Sequence, residues 1–398
     1  MQLDLVLVGF GHVTRRFVSL LAERRAILQR EYDLTTRIVG IATKSHGCVL
    51  DANDVRSAKV FRLRSSNSAS YGGQVARLPR RSSPKSHASG GGKASAERQS
   101  TISFIRDACR RCAPAARQGH LVVVEATTLD IARGQPAIDH VRTALAGRAH
   151  VVTANKGPAA FAYDEIAAAA RRARRRFLFE GAVMDGVPIF SLVRDTLPAV
   201  TIAGFRGVVN STTNFMLTAM EDGRPFDAAL SEMQARGIAE ADPSLDVDGW
   251  DAAAKTAALA NVLLGARITP HDVRREGITP ECAARAVTAR GAGRRLKLVA
   301  RATRAGRGVT AGVQLEELRD DDPLARLEGQ QNAIVFTTDL LDDIAIVQLG
   351  GSLTQTAYAL LSDVITIARD GQDGRATPRR ERRARPDRSP SRSDRRKR

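Results

Sequence analysis

Five carboxylates, Glu240, Asp242, Asp246, Asp248 and Asp251, crowd into a short run, and a single lysine, Lys255, follows one helical turn later. Carboxylates in that number repel one another unless something cationic lies among them. An ammonium-bearing substrate would suit the cluster, with Lys255 moving a proton. The elements around them favour that reading. From Asp251 the chain is Ala/Leu-rich without proline, which predicts a helix ending at Gly265. Asp248 or a neighbour is placed to cap its start. Asp251 and Lys255 then stand at i and i+4 on one face. An ordinary surface ion pair of this kind contributes only about 0.3–0.5 kcal/mol. Here Ala252–Ala254, Ala257, Ala258 and Val262–Leu264 leave almost no polar face, so the helix should be buried nearly all round.

A second group of residues sits at the start of the chain. An apolar run, Leu3–Val8, leads straight into GFGHVTRRF and an amphipathic helix. Gly9 and Gly11 allow a tight turn and a close backbone approach, and the strand–turn–helix context is that of a pyrophosphate held at a helix N-terminus. Phe10, His12 and Val13 complete the loop. Thr14 replaces the third glycine of GxGxxG, and a small residue there still lets helix and strand stay close. The next strand, Arg37–Thr43, ends without the acid that binds an NAD ribose. Lys44 stands there instead, which favours the 2′-phosphate of NADP.

Composition narrows the class. The chain has 398 residues, 43% of them hydrophobic, enough for two cored domains, and no apolar run matches a membrane span of about 20 residues. Four cysteines in this length do not make a disulfide scaffold, so a cytoplasmic location is expected. Cys109 and Cys112 form a lone CxxC, read as helix-borne thiols. Of the net charge of +18, residues 62–100 and 370–398 carry +7 each. Both are Ser-, Gly-, Pro- or Arg-rich without apolar periodicity, so they are expected to be disordered. Nucleic acid is therefore not expected as a partner, beyond nonspecific contact by the basic tail.

The run AEADPSLDVDGWDAAAK resembles the signature of homoserine dehydrogenases, which interconvert homoserine and aspartate 4-semialdehyde with NAD(P). The resemblance covers residues 3–60 and 102–368, with the motifs in family order. It implies that Glu240 and Asp251 hold the substrate, with Asp246 beside them, and that Lys255 transfers the hydroxyl proton. EATTLD places Thr127 and Thr128 at the nicotinamide ribose. NKGP makes Lys156 a second catalytic lysine, on the substrate oxygen and beside the cofactor. NSTTN matches the substrate-domain motif and assigns Thr212 to the substrate, with Ser211 where the family most often has glycine. FLFEGAVMDGVPIF resembles the turn that binds a monovalent cation such as sodium, here through Glu180, Val183, Asp185 and Val187. Asp185 departs from a position the family keeps small and neutral; its carboxylate would strengthen the cation site or distort the turn. Gly351, in a Gly350-Gly351 turn, should approach the cofactor.

The implied fold is α/β: a Rossmann-type nucleotide domain over 1–155 with an insertion at 62–100, and an α+β catalytic and dimerisation domain over 156–345. A helix at 346–369 returns to the nucleotide domain, and 370–398 is a basic tail. The implied protein is a monofunctional homodimer of threonine and methionine biosynthesis, with no regulatory module after it. A phosphorylating semialdehyde dehydrogenase needs a nucleophilic cysteine, and none of Cys48, Cys109, Cys112 and Cys282 lies in such a motif. Two rivals stay open on sequence: a decayed enzyme retaining the fold, and a nucleic-acid binder acting through the basic segments.

Overall fold

The computed structural model describes residues 1–44, 47–51, 54, 92–235, 242–306 and 308–376. Two six-stranded sheets organise them. The first contains β1 (Gln2–Val8), β2 (Thr35–Thr43), β3 (Gly47–Leu50), β4 (Leu121–Glu125), β5 (His150–Thr153) and β6 (Phe177–Leu178), in the order β3-β2-β1-β4-β5-β6. All its pairs are parallel except β2 with β3. The strands are predominantly apolar because helices cover both faces, and the buried Asp4 of β1 is paired with Arg37 of β2. Chain order reverses between β1 and β4, so the ligand crevice lies beyond the carboxyl ends of those strands. Gly9, Thr127 and Lys156 all follow strands at that end.

The second sheet contains β7 (Ile202–Val208), β8 (Arg274–Arg275), β9 (Arg294–Ala305), β10 (Gly308–Arg319), β11 (Asn332–Thr338) and β12 (Asp343–Gln348), ordered β12-β11-β7-β9-β10-β8. β9 pairs with β10, antiparallel over their whole lengths. The helix Trp250–Leu264 packs against this sheet and against the helix Gly157–Ala173, so it contacts both halves of the molecule. The return helix Leu353–Ala376 lays Ala357, Leu360, Leu361, Val364, Ile367 and Ala368 into the core of the first sheet, beside Leu3, Leu5 and Phe17. No described helix is long and apolar enough to cross a membrane.

Several expected boundaries move. The helix before β4 spans Gly92–Arg111, so the end of the 62–100 stretch is helical where disorder was expected. The return helix runs on to Ala376, past the expected end near 369. The first sheet takes β6 from beyond residue 155. Residues 62–91 and 377–398 lie outside the described residues. Cys109 and Cys112 are buried free thiols, and burial pushes Cys109 up to about 11. Ser211 starts its helix without a left-handed backbone, so glycine is not required there.

Lys297 is a surprise from a strand that alternates apolar and polar residues. Leu296, Leu298 and Ala300 face one core while Lys297 shares the opposite side of β9 with Val299, and it is fully buried. Its ammonium donates to the Leu327 carbonyl (2.7 Å) and to Asn214 Oδ1 (3.2 Å), with no carboxylate in ion-pair range among the described residues. Burial lowers its pKa to about 8. The unfolded chain therefore binds more protons at this site between pH 8 and 10.5, and its contribution to stability grows as pH rises through that window. We expect the wild type to gain about 3 kcal/mol relative to Lys297→Met across that window. Cys109 works the other way above pH 9, so only the difference between the two melting curves reads Lys297. A pH-independent difference would show that the lysine is not buried as a cation.

Candidate active site

Asp251 is the centre of the site. It stands in the first turn of the helix Trp250–Leu264, whose start is set by Gly249 in a left-handed conformation rather than by a side-chain cap. Asp248 does not cap it, contrary to expectation. A Cβ at 249 would lie 2.7 Å from the Glu276 carbonyl, so the turn needs glycine both for its φ of +75° and for space. Asp251 Oδ1 lies 3.0 Å from Lys156 Nζ and Oδ2 lies 2.9 Å from Lys255 Nζ. Lys156 arrives from the opposite half, immediately after β5, where it begins the helix Gly157–Ala173. Lys255 also donates to the Val209 carbonyl (2.6 Å).

Asn210 was quoted in the sequence motif but given no role, and it proves to be the hub. Its Oδ1 accepts from Thr213 N–H (2.9 Å), capping the helix Ser211–Glu221. Its Nδ2 donates to Asp246 Oδ1 (2.7 Å) and Asp251 Oδ2 (2.9 Å). An Asn preceding a predicted helix was the available signal. Thr212 is buried and its side chain bonds Asp246. Glu240 lies outside the described residues.

These groups reset one another's protonation. Burial pushes the Asp251 carboxyl up, but the Lys156 and Lys255 ammoniums and Asn210 outweigh it and hold Asp251 well below the usual carboxylate range. Burial and the neighbouring Asp251 charge raise Asp246. For Lys255, burial opposes the charge, yet Asp251, then Asp185 and Asp246, hold its pKa above the ordinary lysine value. Sequence left that competition open, and the carboxylates win. Asp251 thus has its oxygens committed to the two lysines and Asn210, and it positions them. Asp246, which accepts from Asn210, is the carboxyl group beside the pair that makes no salt bridge to either lysine.

The N-terminal loop suits a dinucleotide. Gly9 has φ +87°, and a Cβ there would stand 2.5 Å from the Ala126 carbonyl; at Gly11 a Cβ would meet nothing within 4 Å. The helix His12–Glu23 starts with no side-chain cap, leaving first-turn N–H groups for an anion. Phe10 and Val13 pack on the core of the first sheet, His12 is exposed, and Thr14 is fully buried with its hydroxyl unpartnered. Glu125, buried at the end of β4, accepts from Thr127 N–H and Oγ1 and, at 2.8 Å, from Thr153 Oγ1. Asn155 Nδ2 donates to the Thr127 carbonyl (2.9 Å), tying the loop to the end of β5, with Thr128 exposed beyond it. Lys44 is exposed just past β2.

In the turn at 180–187, the Glu180 carboxylate accepts from Phe190 N–H (2.8 Å) and Ser191 N–H (2.9 Å). Burial raises Glu180, and burial together with Glu180 raises Asp363 well above the carboxylate range. Val183 is buried, and the Val187 carbonyl accepts from Ile189 N–H. The Asp185 side chain does not join this turn; it bonds Thr356 and Gln348. Gly351 lies against it.

Comparison with known proteins agrees. A homoserine dehydrogenase family profile matches residues 188–365. The chain is 38% identical over 92% of its length to an NAD(+)-dependent homoserine dehydrogenase from Pseudomonas canavaninivorans, covering 96% of that protein. It is 31% identical to a homoserine dehydrogenase from Methanocaldococcus jannaschii, covering 92% of this chain and 98% of the relative. The solved homoserine dehydrogenase of Thiobacillus denitrificans superposes with a TM-score of 0.71 at 26% identity, over 94% of this chain and 74% of that one. With a dinucleotide loop on one sheet, a shared carboxylate joining one lysine from each half, and relatives matched nearly end to end, this chain belongs to the homoserine dehydrogenase family.

Proposed function

We propose that the chain catalyses reversible hydride transfer between homoserine and aspartate 4-semialdehyde, with Lys255 moving the hydroxyl proton and Lys156 stabilising charge on the same oxygen. The observation that carries this is the pair of ammoniums held within 3.0 Å of one carboxylate at the mouth of the nucleotide crevice. The dinucleotide, when bound, supplies or accepts the hydride. Gly9 and Gly11 with the uncapped helix start would hold its pyrophosphate, and Thr127 its ribose side. Asp246, with Thr212 and Asn210 behind it, faces the substrate ammonium. Protonated Lys255 is ready to donate to the oxygen as the aldehyde is reduced; oxidation requires it to lose its proton first. Homoserine oxidation should therefore speed up as pH rises above neutrality.

NADP is proposed over NAD on the strength of Lys44, although a relative at 38% identity is named NAD(+)-dependent. Steady-state kinetics with both dinucleotides test this. Lys44→Asp should raise the KM for NADP by about tenfold, the scale of one lost charge-assisted contact, and spare NAD. An unchanged NADP KM would remove Lys44 from the cofactor site.

A monovalent cation is proposed at the 180–187 turn, where the buried Glu180 and Asp363 make no salt bridge among the described residues, although the Arg194 charge acts on both. Glu180 and the carbonyls of Val183, Asp185 and Val187 would hold it. A homodimer is proposed through β12, an edge strand that exposes Val347 and is flanked by exposed Leu340, Leu341 and Leu349. A division into nucleotide and catalytic units, with β6 on the nucleotide side and β12 on the catalytic side, and a cytoplasmic place in threonine and methionine biosynthesis, belong to the same proposal.

A further inference from the structure

We propose that Asp185 is a positioning residue that latches the Gly350-Gly351 turn and the start of the return helix onto the active site, setting how tightly the dinucleotide is held. Met184 and Asp185 both adopt left-handed backbone, with φ of +50° and +53°. Aspartate tolerates that conformation better than most residues. The reversal brings the Asp185 carboxylate to the return helix, where Oδ1 accepts from Thr356 Oγ1 (2.8 Å). Its Oδ2 accepts from Gln348 Nε2 (3.3 Å), at the last residue of β12. Gln348 is buried; its Nε2 also donates to Gln355 Oε1 (3.2 Å), and its Oε1 accepts from Asn332 Nδ2 (3.1 Å). One carboxylate thus joins the end of the second sheet to the first turn of a helix whose apolar face is buried in the first sheet.

The backbones approach closely across this junction. A Cβ at Gly351 would lie 2.9 Å from Asp185 Oδ2, and one at Gly186 would lie 2.5 Å from the Gln355 carbonyl. On the far side, Arg16 of the helix His12–Glu23 donates to Thr354 Oγ1 (3.0 Å). The return turn is therefore gripped between the helix that offers its N-terminus to the dinucleotide and the turn that carries Asp185. The same carboxylate contributes to holding the proton on Lys255. A turn fixed on both sides also steadies the helix His12–Glu23 that it grips through Arg16, so less ordering is left for a dinucleotide at that helix start to impose.

The dinucleotide role rests on the activity proposed above, so the test has two readouts. Asp185→Ala and Thr356→Val should raise the dinucleotide Kd, by calorimetry, about tenfold and threefold. Homoserine KM should stay within about twofold, since no substrate contact is removed. Both variants should speed amide exchange over 351–356 by mass spectrometry. Asp185→Asn retains an acceptor for Thr356 and a tolerated backbone, so it should keep near wild-type Kd and protection. Thr356→Val leaves the left-handed turn untouched, which covers the case of Asp185→Ala failing to fold. The latch is overturned if exchange over 351–356 is unchanged in Thr356→Val, or if Asp185→Asn loses protection as fully as alanine does. If the wild type fails to oxidise homoserine, the proposed activity falls, while the exchange contrast still decides whether the latch exists.

Discussion

Lys255→Met is expected to slow homoserine oxidation by about 10²–10⁴-fold in kcat, the usual contribution of a positioned proton-transfer group, with dinucleotide affinity retained. Methionine keeps the length and apolar stem of the side chain, so the change is mainly the loss of the ammonium. Removing one partner of a fully buried ion pair typically costs about 3–5 kcal/mol because the other charge is stranded. Asp251 would not be stranded here, since Lys156 remains 3.0 Å away and Asn210 still donates to it. The stability cost should accordingly fall below about 3 kcal/mol. Turnover, calorimetric dinucleotide binding and melting temperature, measured on one preparation, separate the two roles. Near wild-type turnover with a large loss of stability would make Lys255 a structural counter-ion and sink the mechanism.

Asp251→Asn should be almost as damaging, and for a different reason. It removes the common counter-ion of two ammoniums that approach the same carboxylate within 3.0 Å, leaving them to repel each other in a half-buried site. Asp251 is also the largest influence holding the proton on Lys255 against burial. Without it the Lys255 pKa falls, so the base form exists at lower pH and the rising limb of the oxidation profile should shift to the acid side. We expect kcat to drop about 10²-fold from misplaced lysines, while homoserine KM changes less than about fivefold. Asp246→Asn should show the converse, a KM raised about tenfold with a smaller effect on kcat. Should Asp251→Asn raise KM and leave both kcat and the pH profile alone, Asp251 would be the amine-binding carboxylate.

Sequence alone determined what depends on local pattern. The run Leu3–Val8, apolar but for Asp4, before Gly9 and Gly11 set a buried strand and a tight turn, because parallel strands covered on both faces are predominantly apolar. The Ala/Leu run after Asp251 set a buried helix, and with it the i, i+4 meeting of Asp251 and Lys255. The acid-rich run carried enough family character to identify the chemistry.

Tertiary structure alone decided which charges meet. Lys156 is 95 residues from Asp251 and comes from the other sheet, so no spacing rule brings them together. The protonation of Lys255 depended on a balance between burial and three carboxylates, including Asp185, whose approach only packing reveals. Asp185 itself was read through its turn, yet its side chain serves the return helix, because a left-handed backbone points it away from its sequence neighbours. Lys297 sits in an alternating strand like any exposed lysine. What buries it is a loop from residues 324–327 folding over that face, a contact written nowhere in β9.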